Sequence, residues 1–208
     1  MLGALNLINE VAVENIDGIY GQVDVLPLAD ENMMPVIQSL FGGNTADKTR
    51  SDIESVQEMT SVMEQTIQIV QQIKNPDAAW VISRLGAVDE INAIQAVTTD
   101  NDPNGLLGIE GGYAACIYFT CDAVGPETVP GDDPVAKGTD GGGAIEIYST
   151  LSDAEARCEY LSEFDHTILY TGSYGLIGTM VVRTSYRFTG EEQYQLTNKI
   201  VQQFTKIK

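Results

Sequence analysis

Residues 144–164 read AIEIYSTLSDAEARCEYLSEF, and the change of period inside this stretch decides the fold. Ala144 to Tyr148 is an apolar run around one acid, Glu146, with the β-branched and aromatic character of a strand. Ser152 and Glu155 then form an S-x-x-E capping box, which satisfies the free N–H groups of a helix start. Ala154, Cys158, Leu161 and Phe164 recur on one face of the helix that follows. Moving outward, Leu176 to Thr184 is the most apolar strand. Thr189 and Glu192 form a second capping box before a closing helix with Tyr194, Leu196, Ile200, Val201 and Phe204. On the other side, Tyr113–Cys121 and Ile91–Val97 read as strands bounded by Gly, Pro, Asp and Asn. Residues 122–143 read as a long loop with Gly125, Pro126, Pro130, Gly131 and Pro134.

A short helix with Ala79, Trp80, Ile82 and Leu85 comes first. Asn75 is its expected N-cap, Pro76 its first helical residue, and Gly86 its stop. From Pro76 the order is helix, strand, strand, strand, helix, strand, helix. That order predicts an α+β domain over 76–208, a mostly antiparallel four-stranded sheet with helices on one face. Residues 1–75 form a helical N-terminal region, with short helices over 2–15 and 31–40. Between Asp47 and Lys74, Val56, Met59, Met63, Thr66, Val70 and Ile73 alternate at spacings of three and four, which predicts one long amphipathic helix. Its stripe packs on the rest of the chain, or it joins two chains as a coiled-coil homo-oligomer.

The chain has 208 residues, 43% hydrophobic and 20% charged, the composition of a folded protein. A chain of this size buries roughly 70% of the surface it exposes when unfolded. Thirty Asp and Glu against eleven Lys and Arg leave a net charge of −19. No basic run exists to neutralise phosphate, which counts against nucleic acid and anionic membrane surfaces as partners. Met1 to Val13 is apolar but carries Asn6, Asn9 and Glu10 and no base, so it reads as neither leader nor membrane span. The expected location is extracellular or at the cell surface if a leader has been removed, and otherwise cytoplasmic.

The most suggestive site is Asp100-Asn101-Asp102-Pro103-Asn104-Gly105, oxygen side chains at alternate positions before a glycine, as in a loop that wraps calcium. The candidate ligands are Asp100, Asp102, Asn104 and Glu110. The twelfth position is Gly111, one past Glu110, and the alternative is a tight Asx turn between strands. Calcium is the only cofactor suggested. Gly138-Thr139-Asp140-Gly141-Gly142-Gly143 precedes a strand rather than a helix, so it reads as a flexible loop or a close backbone approach and not a phosphate cradle. Gly172-Ser173-Tyr174-Gly175 lacks the spacing of a nucleophile elbow. His166 stands alone at a helix end, where its charged form is favourable. Alternation along 113–121 puts Cys121 and Cys116 on opposite faces, and a Cys121–Cys158 disulfide between sheet and helix is one option against buried thiols. No catalytic residue is singled out, although acid pairs could serve a carboxylate-based hydrolase.

The succession NPDAAWVISRL, IQAVTTDNDPNGLLGIEGGYAACIYF, DPVAKGTDGGGAIEIYSTLSDAEARCEYLSEFD and GSYGLIGTMVVRTS, closed by a helix, resembles a module of uncharacterised secreted proteins and lipoproteins of Gram-positive bacteria. The resemblance covers about residues 75–205. It implies an anchored or secreted envelope component and carries no catalytic residues with it. The expected function is a noncatalytic extracytoplasmic module that binds a protein or cell-envelope ligand. A calcium-binding structural or adhesion domain is the alternative.

Overall fold

The computed structural model describes residues 46–207 apart from Leu169. The expected helices over 2–15 and 31–40 lie outside the described residues. The chain divides into two compact units, 1–68 and 69–208, so the division falls inside the long helix α1 (Ala46–Ile73).

In the first unit, α1 leaves Ile53, Val56, Met59, Val62, Met63 and Ile67 exposed, at 39% to 65%. Thr60 and Thr66 donate their hydroxyls to the Val56 and Val62 carbonyls at 2.8 and 2.9 Å, so the helix itself satisfies these polar groups.

In the second unit, the end of α1 is buried at Ile73. Thr179 N donates to the Ile73 carbonyl at 3.3 Å, and Asn75 N donates to Thr179 Oγ1 at 2.7 Å. Asn75 has left the helix at φ 49°, so it cannot be the N-cap of α2 (Ala78–Leu85). Asp77 takes that role, its Oδ1 accepting from Trp80 N at 2.7 Å. The helix starts two residues past the expected proline because the left-handed turn at Asn75 is used to leave α1.

Five strands follow in one antiparallel sheet: β1 (Ile91–Ala96), β2 (Ala115–Cys121), β3 (Gly142–Ile147), β4 (Gly172–Ile177) and β5 (Met180–Ser185), ordered β1-β2-β3-β5-β4. The expected count of four is therefore corrected at 176–184. Gly178, at φ 57°, folds with Thr179 into a two-residue turn that pairs Ile177 with Met180. The glycine is required there, since a Cβ would lie 2.2 Å from the Ile73 carbonyl oxygen. Gly143 meets the expectation of a close approach, as a Cβ would fall 2.2 Å from the Arg183 carbonyl oxygen and 2.4 Å from the Phe119 ring.

The loop over 122–143 contains α3 (Pro134–Lys137), capped by Asp133, and three 3-10 turns. Helix α4 (Leu151–Ser162) begins one residue before Ser152. Its N-cap is Thr150, whose Oγ1 accepts from Asp153 N at 3.1 Å, rather than the expected Ser152. Helix α5 (Gly190–Thr205) starts with the expected Thr189–Glu192 capping box.

Helices cover both faces of the sheet, not one as expected. Cys116, Tyr118, Ala144, Tyr148 and Val181 pack with Ala154 and Leu161 of α4, Val135 of α3, and Val97 and Tyr113 of the β1–β2 connection. The register puts Ile117, Phe119, Ile145, Ile147, Met180 and Val182 on the other face. That side is closed by α2 and α5, which bury Val81, Leu85, Leu196, Ile200, Val201 and Phe204 and bring Trp80 and Phe204 to a ring separation of 5.4 Å. A sheet apolar on both faces needs a layer on each, which is why one helical layer is not enough. Among the described residues no helix is long and apolar enough to cross a membrane.

Candidate functional site

On the α4 side the apolar packing contains a buried charged group. Glu146 of β3 is fully buried, directly opposite Cys116 of β2 and Val181 of β5. Arg157 of α4 forks onto it, Nε donating to Oε2 at 2.8 Å and Nη2 to Oε1 at 2.9 Å. Arg183 of β5 donates through Nη1 to Oε1 at 2.8 Å, and the Tyr148 hydroxyl donates to Oε2 at 3.0 Å. Arg183 also donates through Nη2 to Thr171 Oγ1 at 3.0 Å, and the Arg157 guanidinium lies 5.3 Å from the Tyr160 ring centre.

Four donors fill the roughly four lone-pair directions of a carboxylate. Burial alone would raise the Glu146 pKa, but the Arg157 hydrogen bonds and both guanidinium charges outweigh it and hold the carboxyl below its usual range. An acid that stays ionised and has every lone pair engaged is suited to holding a helix on a sheet and poorly suited to shuttling a proton.

The expected calcium residues lie in the β1–β2 connection. Asp102 Oδ2 accepts from Leu107 N at 2.7 Å, and Oδ1 accepts from Asn104 N at 3.0 Å and from the Tyr113 hydroxyl. Asn104 Nδ2 donates to the Tyr118 hydroxyl at 3.1 Å. Burial would raise Asp102, and the Tyr113 hydroxyl with the loop N–H groups brings it below its ordinary value. Asp102 and Asn104 are thus brought together with two tyrosines, and Asp100 and Glu110 are exposed on the same connection. Among the described residues no group of three or more His, Cys, Asp or Glu is arranged to hold a metal ion.

The structure holds Cys116, Cys121 and Cys158 as free thiols. Cys158 packs on the Cys116 side, whereas Cys121 borders a cavity of about 90 Å³ with Leu196 of α5 and Phe188, beside the Lys199–Glu90 ion pair. The sheet stands between Cys121 and Cys158. Cys121 lies on the face of Ile117 and Phe119, as alternation has it, and α4 covers the face of Cys116 and Tyr118. Burial, and then Glu146, push the Cys158 thiol up to about 11, and burial raises Cys116 and Cys121 as well. All three are therefore protonated near neutral pH and weak nucleophiles. His166 is exposed in a left-handed turn after α4, at φ 63°.

Glu146 is legible in the sequence as a lone acid in an apolar strand, but its pairing with Arg157 and Arg183 is not. The available signal is the repetition of that anomaly, a single Arg in the equally apolar MVVRTS of β5. No family model, no curated protein and no solved structure matches this chain.

Proposed function

We propose that the chain is a noncatalytic extracytoplasmic binding module, a secreted protein or lipoprotein ectodomain, whose ligand is a protein or another component of the cell envelope. The observation that carries this reading is the exposed apolar run of α1 from Ile53 to Ile67. Apolar residues exposed together over four helical turns mark a contact surface, whereas single exposed ones do not. The saturated Glu146 network and the protonated thiols support a scaffold role for the second unit. The likeness of residues 75–205 to Gram-positive secreted modules and the net charge of −19 support a place outside the membrane.

Fractionation of a Gram-positive host tests the location, with the protein expected in the wall or medium. A broad hydrolase screen tests the absence of chemistry, with no turnover expected. Robust turnover that survives repurification, or retention in the cytoplasm, would overturn the reading.

A further inference from the structure

The exposed stripe of α1 has two properties that specify what covers it. Ile53, Val56, Thr60, Met63, Ile67 and Val70 alternate at spacings of three and four, the seam one helix offers another. Val62 and Met59 widen it on one side. At 100° per residue, Glu64 lies beyond Ile53 and Ile67 on one flank, whereas Glu54 and Glu58 lie on the back of the helix. Over α1 the acids Asp47, Asp52, Glu54, Glu58 and Glu64 outnumber the bases Lys48 and Arg50, both of which lie N-terminal to the stripe.

A second copy would set these acids against their like, on chains that each carry −19. Residues 1–45 hold Glu10, Glu14, Asp17, Asp24, Asp30 and Glu31 and no Lys or Arg, so that segment offers no opposite charge either. Charge complementarity is met by a partner with an apolar seam flanked by bases.

We infer that α1 between Ile53 and Ile67 is the docking face for a cationic amphipathic helix of another protein. This rests on the binding-module reading and names the chemistry of its partner. The apolar seam supplies the buried area, and Lys or Arg on the incoming helix meets Glu64 at its edge and the net negative charge of α1 along its length. Met59 and Met63 give the face unbranched, adaptable side chains, which suit a seam that accommodates helices of differing sequence.

The test uses the full chain and two synthetic helical peptides with one shared leucine seam, one flanked by Lys and the other by Glu. Both are titrated against the wild-type chain and against the double variant Val56→Asp, Met63→Asp, whose sites are exposed and outside the 69–208 unit. The Lys-flanked peptide is expected to bind, and its affinity to fall by about tenfold or more as salt rises from about 0.05 to about 0.5 M. The double variant is expected to lose that binding, and the Glu-flanked peptide not to bind. Equal binding of both peptides, or binding of neither, overturns the inference. A dimer of the full chain in sedimentation that the double variant dissociates also overturns it, because the occupant is then a second copy. Equal binding of both peptides or binding of neither leaves the binding-module reading standing, a dimer removes the exposed stripe that carries it, and turnover or cytoplasmic retention overturns it directly.

Discussion

At the scale of the residue, Glu146 carries the largest expectation. Arg157 and Arg183 are only 11% and 9% exposed, and Glu146 is the carboxylate between them. Glu146→Gln leaves two guanidinium groups buried without their counter-charge, and a loss of about 3–5 kcal/mol is expected in urea unfolding. A loss under about 1 kcal/mol would contradict the geometry. The folded pKa of Glu146 is lowered, so its contribution is present above the unfolded value near 4.5 and is lost as pH falls through the lower folded value. The wild type should lose stability on acidification below about pH 5, and the Gln variant should lack that part of the slope. Asp102 already accepts from Leu107 N, Asn104 N and the Tyr113 hydroxyl, so millimolar calcium is expected to leave the thermal midpoint unchanged. A rise of several degrees would show a metal site instead. Sequence shows an acid inside an apolar strand. It does not show that the β3–β5 register and the placement of α4 bring two arginines to it, because both are tertiary facts.

At the scale of the element, caps and faces decide the detail. Thr150 caps α4, so Thr150→Ala should lower unfolding stability by about 1 kcal/mol and Ser152→Ala by only a few tenths. The opposite order would restore Ser152 as the cap. T-x-x-D and S-x-x-E lie two residues apart, and the apolar phase set by Ala154 and Leu161 is compatible with either start. The strands were legible from their β-branched runs. The division of 172–185 into β4 and β5 was not, because Gly172, Ser173 and Gly175 look like turn residues and the actual turn is Gly178-Thr179. The same issue governs the cysteines: alternation places Cys121, but only the crossing of α4 shows that Cys158 lies on the other side. A thiol reagent near neutral pH is expected to react slowly with the native chain. After denaturation without reductant it should count all three cysteines, whereas a count of one would show a disulfide.

At the scale of the whole molecule, two kinds of surface divide the work. The second unit buries its apolar residues on both sides of the sheet and ties α4 to it through Glu146. The exposed stretch of α1 leaves a comparable stripe to solvent. The spacing of Val56, Met59, Met63, Thr66, Val70 and Ile73 predicts a stripe that shares Val56, Met59 and Met63 with the exposed one and ends at the buried Ile73, and it leaves open whether the stripe packs within the chain or against another. Spacing alone cannot decide this, since an inward and an outward seam have the same period. Hydrogen exchange of the full chain, alone and with the Lys-flanked peptide, tests the point most directly. Amides of β2, β3 and β5 should exchange slowly in both states, and those of residues 53–67 should exchange quickly in the free chain and become protected with the peptide. Protection of 53–67 equal to that of the sheet in the free chain would mean that the stripe is already covered, and would contradict the assignment of α1 as the binding surface.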